Sequence, residues 1–177
     1  MGLILAALAC SGDSNRKAQP DQSSAPAEPS DQPVLPAEHA QLVGSFHPPF
    51  APGYKDVGGW MLRDSLFGIT QVAQGASHVF LLDSLAGRNK AGQALWVAIS
   101  GVAMPTIDTT RESIATLDCA VDGLKDIGVV AVGRWMDNGP HARDLVEIRF
   151  AARVDLARRR FRIVEPARVA CWVEYRR

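Results

Sequence analysis

Apolar and polar residues alternate through much of the second half of the chain. In the run DLVEIRFAARVDL, residues 144–156, Val146, Ile148, Phe150, Ala152 and Val154 share one face, and Glu147, Arg149 and Arg153 share the other. A period of two is the mark of a half-buried strand. The following RRRFRIVEP turns Phe161 and Ile163 inward, so the two runs read as a hairpin. Pro166 ends the returning strand or puts it on an edge. VACWVEY sets Val169, Cys171, Val173 and Tyr175 on one face, and ATLDCAV does the same for Leu117, Cys119 and Val121. Between them, a tight turn at Asp122-Gly123 leads into a β-branched strand from Ile127 to Trp135.

The first half is less regular. SHVFLLDSLAG and GQALWVAISGVAM are apolar runs separated by Gly87-Arg88-Asn89-Lys90, which predicts another hairpin. TTRESIATL carries Thr109 and Glu112 at capping-box spacing and predicts a short helix. AEHAQLV fits one or two helical turns, and GGWMLRDSLFGITQVAQGAS fits strand and helix equally. The prolines of FHPPFAPGYK favour extended chain, so order is expected to begin near Tyr54. The expected domain spans 54–177 and is mainly β, an antiparallel sheet or sandwich of about six or seven strands with one or two short helices. Trp60, Trp96 and Trp135 are assigned to its core.

Composition changes the picture at the N-terminus. Residues 11–36 are rich in Ser, Pro, Gln, Asp and Ala and carry almost no large apolar side chains. Such a stretch buries too little surface to offset its ordering entropy and predicts a disordered tether. Before it, the apolar run Leu3 to Ala9 ends at Cys10 and is too short to span a membrane. Ala7-Leu8-Ala9-Cys10 resembles the lipobox of bacterial lipoproteins. The resemblance implies cleavage before Cys10, a diacylglycerol on that cysteine, and outer-membrane placement from Ser11. Residues 1–9 then read as a signal peptide truncated of its basic start, and 10–53 as a lipid-anchored tether on the periplasmic face. The hairpin over 144–165 resembles those of uncharacterised proteobacterial envelope proteins, a likeness that brings no activity with it.

In that oxidising compartment Cys119 and Cys171 form an even pair on inward strand faces, and a structural disulfide is expected between them. Total charge predicts no partner, since 19 basic residues match 19 acidic ones. Residues 141–177, however, hold ten arginines against five acids. Arg149, Arg153, Arg158, Arg159, Arg160 and Arg162 cluster on the hairpin and are the candidate binding residues, either for an acidic protein or envelope anion or as a solvated turn. No catalytic, metal or cofactor motif occurs. The four histidines are scattered, and Asp122-Gly123 lacks the upstream carboxylates of a calcium loop. Exposed aromatics do not interleave with the arginines, so nucleic acid is not an expected partner. A non-enzymatic binding module is expected, with an immunity or inhibitor protein as one form. The alternatives are an envelope hydrolase, for which Asp64, Asp83, Asp108 and Glu112 offer carboxylates, and a structural or assembly lipoprotein.

Overall fold

The computed structural model describes residues 35–62, 66–139 and 142–174. Expectations resting on Cys10, Ser11, Asp64 and Tyr175, and on the leader and tether up to residue 34, lie outside those residues. The fold is mainly β and antiparallel, as the alternation predicts. Five strands make the first sheet: β1 (Phe46–His47), β2 (Lys55–Met61), β3 (Phe67–Gln74), β4 (Ser77–Arg88) and β5 (Ala94–Ala103). Their spatial order is β1-β5-β4-β3-β2. The second sheet holds β6 (Ser113–Thr116), β7 (Cys119–Val121), β8 (Leu124–Lys125), β9 (Val129–Asp137), β10 (Ala142–Asp155), β11 (Arg160–Ile163) and β12 (Val169–Glu174). It runs β6-β9-β10-β12-β7-β8, with β11 on β10. More strands form than the sequence suggests, because β1, β6 and β8 are too short to display a period and the ambiguous run at residues 58–77 holds β3 and the end of β2.

The continuous apolar runs of β4 and β9 follow from burial on both faces. In β4, Phe80 and Leu82 enter the core between the sheets with Ile69, Val102, Val130, Val132 and Phe161. Val79 and Leu81 point the other way, packing with Val72, Ala98 and Leu42. In β9, Val129 and Ala131 turn instead to a third cluster with Leu145, Ala151, Val164 and the two cysteines. The indole N–H of Trp60 donates to the Ile127 carbonyl at 2.8 Å and ties β2 to the second sheet.

The outer face of the first sheet is covered by residues 35–54, nearly all of which the expected boundary at Tyr54 assigns to the tether. A 3-10 turn over Ala37–Leu42 buries Leu42 completely. The Tyr54 hydroxyl donates to the Glu38 carbonyl at 3.0 Å and accepts from His39 Nδ1 at 2.8 Å. Gly44 N–H reaches the Ala98 carbonyl at 2.7 Å and starts the pairing of β1 with β5. A few apolar side chains suffice here, because the sheet supplies the surface they bury against.

Other local expectations yield to tertiary contacts. The predicted helix at TTRESIATL is absent: Ser113–Thr116 is β6, paired with β9. Glu112 closes a single turn instead, its carboxylate accepting from Asp108 N–H at 2.9 Å and from Arg149, and the chain then passes straight into β6. A register shift between Val146 and Phe150, with Glu147 at φ 52°, changes the phase of β10. Leu145 is buried in place of Val146, and Ile148 packs on the third cluster rather than between the sheets. Ile163 and Leu117, both read as inward, are about 40% exposed (41% and 40%). Asp122 and Gly123 both have positive φ and make the tight turn of the β7–β8 hairpin. Cys119 and Cys171 face each other across β7 and β12 and are joined as a disulfide.

Candidate functional site

The β10–β11 hairpin sorts the six candidate arginines rather than gathering them. Residues 150, 152 and 154 of β10 point into the inter-sheet core, so Arg149 and Arg153 emerge on the opposite face. Arg149 forms a forked contact with the Glu112 carboxylate and also donates to the Thr106 carbonyl at 2.6 Å. That guanidinium pulls the Glu112 carboxyl down to about 2, and the carboxylate in turn raises the Arg149 value. The pair belongs to a charged groove with Arg134 and Glu147, which are themselves paired at 2.6 Å. Arg149 therefore stands apart from the hairpin turn.

Around the turn Arg153 and Arg158 meet carboxylates. Arg153 Nε lies 2.6 Å from Asp126 Oδ2, and Arg158 Nη1 lies 2.9 Å from Asp155 Oδ2. Asp155 also accepts the Arg158 backbone N–H at 3.1 Å. The Arg158 hydrogen bond, aided by the charge of Arg162, holds the Asp155 carboxyl below its ordinary value. Arg153 and Arg162 face each other across the ladder, a like-charge pairing that the two aspartates offset. Arg159 sits over the Phe67 ring, 5.8 Å from its centroid, and Arg160 is half-buried opposite Asp155. A single basic patch of six is not what forms.

What forms is a double cavity. One part, about 510 Å³, is floored by Leu62, Ile127, Val154 and Leu156, with Lys125 and Asp126 at its side. The other, about 410 Å³, is bordered by Arg153, Arg158 and Arg162 with Asp126 and Asp155. The two share Asp126, Val154 and Leu156 as a common wall. Each has the size of an ordinary ligand pocket. Together they present Lys125, Arg153, Arg158 and Arg162 against Asp126 and Asp155, with Lys125 also paired to Asp118 at 2.8 Å, beside an apolar floor.

A second constellation was not legible in the sequence. His47 Nε2 lies 2.9 Å from Asp83 Oδ1, and the Thr70 hydroxyl donates to Asp83 Oδ2 at 2.6 Å. Both His47 and Asp83 are buried, at 3% and 1% exposure. The His47 ring stacks on Phe50 at 4.4 Å between centroids. Asp83 interrupting the apolar run of β4 was the one available signal, since a lone buried carboxylate needs a partner. Nothing local points to His47. Asp108 accepts from Thr110 in the turn ahead of β6 and does not join Asp83. Comparison with protein-family models, with curated proteins and with solved structures gives no match to this chain.

Proposed function

We propose that the chain is a non-enzymatic binding module of the bacterial cell envelope, held through lipidated Cys10 at the periplasmic face of the outer membrane. Its site is the double cavity at the β10–β11 turn, and its occupant is an acidic protein segment that carries an apolar anchor residue. The observation supporting this is the shared wall of Asp126, Val154 and Leu156, which sets an apolar floor directly beside an arginine border. An apolar anchor supplies most of the affinity at such a site, and the excess positive charge selects for an acidic flank. An immunity or inhibitor protein is one form of such a module.

The test is capture of protein partners from periplasmic extract by the full-length chain and by two surface variants. Leu156 is 38% exposed, so Leu156→Asp should cost about 1–2 kcal/mol, too little to unfold the domain, yet abolish capture. Arg162→Glu should weaken capture, as should salt near ~0.5 M, where the screening length is about 4 Å. Capture that survives both substitutions rules out this cleft. In the same cells Cys10→Ala should free the protein from the membrane fraction, and unchanged fractionation removes the anchor.

A further inference from the structure

We propose that the outer face of the first sheet carries a second ligand site, selective for a small organic cation with N–H donors, such as a primary amine. The site is a cavity of about 310 Å³ between β1, the β2–β3 pair and β5, lined by His47, Asp83, Thr70, Phe50, Trp96 and Asp56 among others. Water occupies roughly 30 Å³ per molecule, so the space takes about ten water-sized groups.

The hydrogen-bond directions decide the ligand's chemistry. Asp83 is an acceptor, so the nitrogen of His47 that meets it, Nε2, carries the proton. Thr70 gives its only hydroxyl proton to the other Asp83 oxygen. Both protons of this network are thus directed at Asp83. What remains for a ligand is the lone pairs of Thr70 Oγ1 and the carboxylate of Asp56, and both are acceptors. No Lys or Arg lines the cavity among the described residues, whereas two aspartates do.

Two aromatic side chains add to this preference. Phe50 and Trp96 line the cavity, and aromatic faces attract cations, most strongly where water is displaced. Gly68 of β3 lies opposite Asp83, where a Cβ would crowd the Trp60 carbonyl oxygen at 3.3 Å and point toward Met61 Sδ and Trp96 Cζ3, so a longer side chain there would enter the cavity. A pair that merely pinned β1 to the sheet would need His47 and Asp83 alone. It would need neither the Asp56 carboxylate nor the Trp96 ring beside it.

The experiment is a titration of the full-length protein with ethanolamine, followed by the indole N–H resonance of Trp96. Tetramethylammonium serves as a cation without N–H donors, and ethylene glycol as the neutral analogue. Ethanolamine should give a saturable shift, and ethylene glycol none. Tetramethylammonium should bind about tenfold more weakly, the loss expected for one charge-assisted hydrogen bond. Asp56 is exposed, so Asp56→Asn should fold normally and bind ethanolamine about tenfold more weakly. Thr70→Val should weaken it as well. Equal responses to ethanolamine and ethylene glycol, tetramethylammonium binding as tightly as ethanolamine, or no saturable shift with any probe would each overturn the proposal. So would an affinity for ethanolamine unaltered in both variants.

Discussion

Removal of the Cys119–Cys171 bridge should separate what the cross-link contributes from what the strands around it contribute. The bridge spans a sequence separation of 52 and encloses β8, β9, β10 and β11. On the chain-entropy model, closing a loop of this length in the unfolded chain is worth about 4 kcal/mol. The two sulfurs are also buried, and their loss in Cys119→Ala with Cys171→Ala adds about 1–2 kcal/mol of lost burial. The double variant should therefore lose about 5–6 kcal/mol, while the reduced wild type, which keeps both sulfurs, should lose only about 4 kcal/mol. Urea unfolding followed by tryptophan fluorescence measures all three forms. The denaturant slope gives the decisive reading, because a cross-link that acts on the unfolded chain compacts it. The slope should rise in both uncross-linked forms. A loss below about 1 kcal/mol with an unchanged slope would refute the argument. The ladder itself, with Trp172 N–H on the Asp118 carbonyl at 2.9 Å, would then be enough to hold β7 against β12.

Two further outcomes follow from burial and charge. Phe161 is fully buried between the sheets, and Phe161→Ala should cost about 3–5 kcal/mol in the same urea assay; a small loss would mean that the sheets do not share one core there. Glu112 has its carboxyl lowered from 4.5 to about 2 by Arg149, so its folded state holds the proton less tightly than the unfolded chain. Its stabilisation is complete above pH 4.5 and fades as the pH falls toward 2. The difference in melting temperature between wild type and Glu112→Gln should hold steady above that window and shrink through it. A difference that ignores pH would show that the Arg149 contact does not form in solution.

Apart from the Cys119–Cys171 pair, the features that were legible depend on neighbours in sequence, and most of those that were missed depend on distant ones. The alternation around Phe150 to Val154 gave the β10–β11 hairpin, and Asp122-Gly123 gave the turn between β7 and β8, because each is written in consecutive residues. The bulge at Glu147 broke the phase of that alternation without any local sign. The arginines were seen, but not the carboxylates that meet them, since Asp126 and Glu112 come from other strands and turns. His47 and Asp83 lie 36 residues apart and meet only because β1 crosses the sheet beside β5. The cover over residues 35–54 looked like tether for the same reason: its apolar residues are sparse, and the surface that makes them sufficient belongs to β3, β4 and β5.

The outermost strands bear on how this domain behaves when crowded. A strand at the border of a sheet offers unpaired backbone groups to any passing chain, and long flat borders invite polymerisation. Here β1 and β8 are two residues long and β6 is four, too short to template another copy. The exception is β2, seven residues long and at the border of the first sheet. It carries Lys55 and Asp56 at its start, and its register slips between Asp56 and Gly58. A charged, kinked border cannot line up with its own image in a second molecule. Self-association through the backbone is thus obstructed at every one of these borders, and a substitution that straightened β2 is where fibre formation would begin.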